Sequence, residues 1–195
     1  MTTLVRRLAQ QLAGRRKNFL TDLELTPAAV LVPLFMRGGE VHVLFTKRNS
    51  SLRKHAGQIS FPGGRHEPSD GSLLETALRE VQEEIGLRRE HVTILGELDD
   101  MITTTQYRIT PFVCTFPYPY EFKLNFAEID SLIEIPLKTL RSPEVIEQRH
   151  HTFLDRYRVK VYYYHVEPEP IWGATAHILK GLLDIIDEID KVAVS

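Results

Sequence analysis

The chain has 195 residues, 43% hydrophobic and 26% charged. That balance excludes wholesale disorder, and the length suffices to bury a core without staples. A single cysteine excludes a disulfide framework and a Cys-rich metal cluster, and no apolar run approaches the roughly 20 residues of a membrane span. Twenty-four Lys and Arg against 26 Asp and Glu leave a net charge of -2, which argues against a broad basic surface for duplex nucleic acid but not against a local anion site.

Val5, Leu8, Ala9 and Leu12 recur at helical spacing among Arg6, Arg7, Arg15, Arg16 and Lys17. This predicts an N-terminal amphipathic helix packed on the domain, with residues 1-25 as an appendage and 26-195 as the main domain. A transit peptide, hence an organellar location, or a membrane-surface helix are the alternatives to a cytoplasmic protein. Ala28 to Met36 and Val41 to Thr46 are apolar β-branched runs split by Gly38-Gly39-Glu40, the pattern of a hairpin. Asn49 to Ile59 is polar and predicts a loop, and Phe61-Pro62-Gly63-Gly64 predicts a tight turn. Ser72 to Ile85 is the clearest helix. Ser72 and Glu75 stand at capping-box spacing, Leu74, Ala77, Leu78, Val81 and Ile85 form one stripe, and Gly86 suits a left-handed end. Val92 to Leu98, Ile109 to Phe116, Ile129 to Ile135 and Val159 to Val166 read as strands, Pro136 to Leu140 as a helical turn, and Gly173 to about Val192 as a second long helix. Strands in the middle with helices to cover them predict an α+β or layered α/β/α arrangement.

The chemistry concentrates in Arg79-Glu80-Val81-Gln82-Glu83-Glu84-Ile85-Gly86. Glu80, Glu83 and Glu84 sit at i, i+3 and i+4, so they share a helical face, and three like charges there repel unless something neutralises them. An all-oxygen donor set without Cys or His suits Mg2+ or Mn2+ rather than zinc. Arg79 stands four residues from both Glu75 and Glu83 and can orient a carboxylate from behind. A solvated acidic face is the plainer reading of such a triplet. The Gly-Gly step upstream and the apolar stripe, which pins the helix, favour a metal held against a phosphate.

The segment from Gly64 to Leu87 resembles the Nudix box of Nudix hydrolases: a Gly, five residues, a Glu, seven residues, then Arg-Glu-apolar-x-Glu-Glu-x-Gly-apolar. Arg79 through Leu87 matches at every specified position. Asp70 stands where the first Glu is expected, and eight residues rather than seven separate it from Arg79. That lengthened box is similar to the one in the coenzyme A pyrophosphatase branch. Leu44-Phe45-Thr46-Lys47-Arg48, then Arg53, Gly57 and Phe61-Pro62-Gly63-Gly64, resembles the motif preceding the box in that branch, with Phe45 and Asn49 departing mildly.

The resemblance implies a Nudix α/β/α sandwich with a mixed central sheet, a catalytic helix and a C-terminal helix. It implies divalent-metal-dependent hydrolysis of coenzyme A or acyl-CoA to 3',5'-ADP and 4'-phosphopantetheine or its acyl form. ADP-ribose, a dinucleotide or a nucleoside triphosphate are alternative substrates, and a catalytically silent Nudix-fold binding protein is the alternative of another class. Carried over residue by residue, Glu80, Glu83 and Glu84 would hold the metal, and Glu83 or Glu84 would take a proton from water. Arg79 would be catalytic in support. Gly63 and Gly64 would let backbone approach the substrate. Arg48 and Arg53 are candidate phosphate clamps, since a guanidinium offers a planar fork of donors.

Lys47, Lys54 and His55 add to that basic loop, and solvated charges are the plainer reading of the last two. Glu128 and the Asp99-Asp100 pair are candidate extra acids. His150-His151 reads as surface histidines rather than a metal pair, and Tyr162-Tyr163-Tyr164 as packing rather than base stacking. Trp172 is expected to pack the last helix, and Cys114 to be an inert core thiol. The apolar C-terminal helix could serve a homodimer interface.

Overall fold

The computed structural model describes residues 2–17, 24–51, 56–153 and 157–194. In chain order the elements are α1 (Thr3–Gly14), β1 (Thr26–Arg37), β2 (Glu40–Arg48), β3 (Ile59–Ser60), β4 (Gly63–Arg65), α2 (Leu73–Ile85), β5 (Thr93–Glu97), β6 (Met101–Ile102), β7 (Tyr107–Thr115), β8 (Ile129–Pro136), α3 (Leu137–Leu140), β9 (Ile146–Phe153), β10 (Tyr157–Tyr164), β11 (Ile171–Trp172) and α4 (Gly173–Val194), with a single 3₁₀ turn at Arg89–His91.

Among the described residues the main sheet has eight strands, with the path β3-β2-β1-β7-β5 and with β4, β6 and β8 pairing β1, β7 and β2. Only β1 and β7 run parallel, over Thr26↔Tyr107 to Leu34↔Thr115, so the sheet is mixed. The hairpin forms where Gly38 and Gly39 adopt positive φ, 58° and 83°, a geometry that a two-residue hairpin turn demands.

Strand β1 is buried on both faces, and its alternation sorts the core into two layers. Ala29, Leu31 and Phe35 join Leu44, Ala77, Val81 and Ile85 beneath α2. Val32 and Leu34 join Val43, Phe45, Leu8, Leu182 and Ile186 beneath α1 and α4. The result is an α/β/α sandwich. Each fully buried Leu, Ile or Phe in these layers stabilises by about 1.5–3 kcal/mol over an exposed one. Pro33, inside this central strand, costs no ladder bond. On the edge where Leu31 donates to the Pro62 carbonyl (2.9 Å), β1 passes from its pairing with β4, which runs from Ala28 to Val30, to its pairing with β2, which runs from Leu34 to Arg37.

Helix α1 is part of the core. Thr2 caps it by accepting from the Val5 N–H, and Val5, Leu8 and Leu12 are buried. Leu12 lies on Gly96, where a Cβ would stand 2.5 Å from the leucine Cβ. Arg7 bonds the Ile189 carbonyl of α4, and Lys17 pairs with Asp100 at 2.8 Å.

Two expectations are corrected. Gly63-Gly64 is no turn; it lies in β4, paired antiparallel with β1. Strand β9 is an addition to the expected elements, because Ile146–Phe153 reads as a polar stretch; it pairs β10, which pairs β11, in a separate three-stranded sheet. Among the described residues no helix is long and apolar enough to cross a membrane.

Candidate active site

Helix α2 carries the acids, and both its ends are fastened. Ser72 Oγ accepts from the Glu75 N–H at 3.2 Å, and Gly86 closes the other end at φ 69°. The segment after β7 then returns across that end. Lys123 N–H donates to the Ile85 carbonyl (3.0 Å), Asn125 N–H to the Glu84 carbonyl (2.9 Å), and Tyr120 Oη–H to the Gly86 carbonyl (3.2 Å). These bonds satisfy carbonyls that a helix end leaves open.

The apolar stripe turns Glu84 inward, to 2% exposure, and leaves Glu83 in solvent. Glu84 Oε2 accepts from the Gly63 N–H at 3.0 Å, and its Oε1 faces Arg48 Nη1 at 3.9 Å. Burial pushes the Glu84 carboxyl up to about 8. The negative charges of Glu80 and Glu128 add to the rise, while the Gly63 N–H and Arg48 oppose it. Glu80 is raised too, first by burial and then by Glu83 and Glu128, against the pull of Arg79. The glycine step makes this approach feasible. A Cβ on Gly64 would lie 2.5–2.6 Å from the Glu80 carboxylate, and one on Gly63 (φ 145°) would lie 2.3 Å from the Ala29 carbonyl oxygen.

Arg79 is the hub behind the acids. It grips Asp70 with two bonds, Nε to Oδ1 (2.9 Å) and Nη2 to Oδ2 (3.1 Å), reaches Glu80 Oε1 at 3.1 Å, and donates from Nη1 to Glu83 Oε2 at 3.0 Å. Glu75 pairs with Arg89 and not with Arg79 as its spacing suggested. Asp70 also accepts from the Glu67 N–H and the Thr76 hydroxyl, both at 2.9 Å, and Thr76 in turn meets His66 Nδ1 at 2.8 Å. The guanidinium of Arg79 and then the Glu67 amide hold Asp70 well below the usual carboxylate range. A depressed carboxyl contributes stability above its ordinary value of 3.8 and loses it as pH falls. Asp70→Asn is therefore expected to destabilise the fold at pH 7 by about 1–3 kcal/mol, while Glu83→Gln, at the exposed end of the same arginine, costs less than about 1 kcal/mol. Urea midpoints compare the two; equal losses would dismiss Asp70 as the anchor.

The structure thus brings Glu80, Glu84, Gly63, Gly64 and Arg48 together, and turns Glu83 toward Arg79. Arg53 lies outside the described residues, as do Lys54 and His55. Lys47 faces Glu169 at 3.6 Å. Arg48 has a buried Nε with no hydrogen-bond partner among the described residues.

Glu128 joins the acids by a route that spacing does not reveal. Its carbonyl accepts from the Asn49 N–H (2.7 Å) and its Oε1 from Asn125 Nδ2 (3.2 Å). It thus sits in the segment that crosses the end of α2, close enough to raise both Glu80 and Glu84. Asp99 and Asp100 are placed elsewhere, paired with Arg15 and Lys17. Tyr164 is fully buried, while Tyr163 lies under Arg149 at 4.5 Å. Trp172 remains 44% exposed opposite Tyr163, and its neighbour Ile171 fills the core position expected of it. Cys114 is buried, which pushes its thiol upward and leaves it inert.

Among the described residues no three acidic, imidazole or thiol groups form a finished metal cage. The donor set nonetheless fits a hard divalent cation. Its oxygens are carboxylates, Glu80 and Glu84 are raised by burial and then by neighbouring negative charges, Glu128's among them for both, and glycine leaves room against Glu80.

Comparison with known proteins agrees with this construction. A family model described as the NUDIX domain matches residues 25–157. A protein of Yersinia enterocolitica named as an uncharacterized Nudix hydrolase, NudL, is 40% identical over 159 residues, covering 80% of this chain and 78% of its own length. Among solved structures, a NUDIX hydrolase from Alicyclobacillus acidocaldarius superposes with a TM-score of 0.54 at 21% identity, over 84% of this chain and 93% of that one. A MutT protein from Methanosarcina mazei Go1 gives 0.50 at 20% identity, over 89% and 100%. Both likenesses are to the fold.

Proposed function

Because the chain belongs to the Nudix hydrolase family and acts on diphosphate linkages, we propose that its substrate is coenzyme A or an acyl-CoA, cleaved to 3',5'-ADP and 4'-phosphopantetheine or its acyl form. The observation that carries the reading is Glu84. It is an almost fully buried carboxylate held by the Gly63 amide, beside Glu80 and Glu128, with a guanidinium on its other oxygen. An acid cluster alone would repel a phosphate, and a guanidinium alone would bind one without cleaving it. Side by side they suit hydrolysis. The coenzyme A branch is supported by the placement of part of its signature: Arg48 ends β2 and Gly63-Gly64 open β4, so these three residues line Glu80 and Glu84.

Glu80 and Glu84, with Glu128 adjacent, would hold Mg2+ or Mn2+, which when bound neutralises diphosphate charge and acidifies water. Arg79, anchored by Asp70, keeps Glu80 and Glu83 in place. Arg48 turns its fork to phosphate oxygens as substrate enters. A water oxygen bonds to one phosphorus, the bridging P–O bond breaks, and a carboxylate takes the water's proton. That carboxylate is Glu83 or Glu84: Arg79 donates to Glu83 Oε2, and the Gly63 N–H donates to Glu84 Oε2.

A panel of coenzyme A, acyl-CoA, ADP-ribose, a dinucleotide and a nucleoside triphosphate, each with Mg2+ and Mn2+, tests the substrate. Coenzyme A or its acyl form is expected to lead in kcat/KM by at least about tenfold, a margin worth about 1.4 kcal/mol, and EDTA to abolish turnover. Cleavage of ADP-ribose with coenzyme A inert would overturn the branch. Silence on the whole panel would point to a binding protein.

A further inference from the structure

Resting on that reading, we propose that Phe126 is the stacking platform for the substrate's nucleoside base. Among the described residues it is one of three large hydrophobic side chains left exposed, and at 69% it is the more exposed of the two aromatic ones. A single exposed phenyl ring is ordinary on its own; what sets this one apart is the bonded backbone that holds it beside the acids.

The backbone here is held before and after the ring. Asn125, just before it, donates its N–H to the Glu84 carbonyl, and its Oδ1 accepts from the Ala127 N–H at 3.2 Å. The Phe126 carbonyl accepts from Asn49 Nδ2 at 2.6 Å, and the Asn49 N–H donates to the Glu128 carbonyl at 2.7 Å. Asn49 is itself braced, its Oδ1 accepting from the Ser51 N–H (2.8 Å) and hydroxyl (2.7 Å). One asparagine beside Arg48 therefore clamps Phe126 and Glu128, in a stretch that starts with a residue bonded to the Glu84 backbone and ends with an acid that acts on Glu80 and Glu84. A nucleotide whose diphosphate lay on Arg48 and the acids would carry its base one ribose away from them. An exposed phenyl ring two residues before Glu128 would offer it the stacking contact that any purine accepts. Asn49 is also where this chain departs from the pattern of its signature, and the clamp gives that departure a use.

The test compares Phe126→Ala, Phe126→Leu and Phe126→Tyr on each diphosphate substrate that the unaltered enzyme cleaves, and on an analogue lacking the base. Alanine and leucine are expected to raise KM roughly tenfold for the base-bearing substrate with kcat within about twofold, tyrosine to restore it, and the base-free analogue to be indifferent. Phe126→Trp in a Trp172→Phe background supplies a reading independent of turnover: ADP should quench the indole emission. Leucine performing as well as tyrosine, an equal KM rise without the base, or no quenching by ADP overturns the platform. An unaltered enzyme that cleaves no diphosphate while ADP still quenches would instead overturn the proposed reaction and leave the platform standing.

Discussion

Glu84→Gln is expected to cut turnover by roughly 10²- to 10⁴-fold while making the metal-free protein more stable at pH 8. Glutamine keeps the size of the side chain and an oxygen to accept from the Gly63 N–H (3.0 Å in the parent), so the β4–α2 junction survives. What disappears is a charge in an almost closed site. A carboxyl whose folded-state value lies above its ordinary 4.5 binds its proton more tightly when folded. That contribution is complete below the ordinary value and is lost as pH rises through about 8, so above it the ionised side chain is a burden. Removing the charge relieves it by about 1–4 kcal/mol, because each tenfold change in proton affinity is worth roughly 1.4 kcal/mol and relaxation around the charge returns part of the sum. Urea unfolding in EDTA at pH 5 and pH 8, with kcat in Mg2+, reads both halves. A variant with unchanged rate removes α2 from the chemistry; one destabilised at pH 8 denies the burden.

Gly63→Ala is the second large effect, and it is opposite in kind. The new methyl would stand 2.3 Å from the Ala29 carbonyl oxygen and 2.6 Å from the Val30 Cα, both backbone atoms of the central strand, at a φ of 145° that side-chain-bearing residues avoid. Nothing there yields cheaply. A loss of about 2–6 kcal/mol is expected from clash and strain together, and activity falls with the fold. For Gly64→Ala the three nearest atoms all belong to the movable end of Glu80. It should leave the urea midpoint within about 1 kcal/mol and lower kcat/KM by displacing that carboxylate. Equal losses of stability in the two variants would mean that both glycines serve the strand pairing and neither serves Glu80.

Local chemistry made part of this legible in the sequence. Helix α2 could be read because Ser72, the apolar stripe and Gly86 each act within a few residues, and the hairpin because Gly38-Gly39 is its own signal. Gly63-Gly64 has the composition of a turn. Its extended pairing is imposed by β1, more than thirty residues earlier, which a local reading does not see. Strand β9 is polar because it edges a small sheet, so it carries no hydrophobic alternation. In the site, the i, i+3, i+4 spacing located Glu80, Glu83 and Glu84. It did not tell that Arg79 would draw Glu83 aside, or that Asp70 would anchor Arg79. Glu128 and Phe126 arrive on a loop whose course is set by the open carbonyls of α2 and by Asn49. Asp99 and Asp100 looked equally promising, until Arg15 and Lys17 claimed them.

Helices α1 and α4 share one layer, although Arg7 and the Ile189 carbonyl that it grips are 182 residues apart. Synthesis proceeds at roughly 5–20 residues per second. Strands β1 and β7 and helix α2 are thus all made before the first residue of α4 leaves the ribosome. For that interval Val32, Leu34 and Val113 wait without the leucines and isoleucines that finally cover them. The half of the molecule holding the acids is assembled early, and its opposite face stays adhesive until α4 has been made.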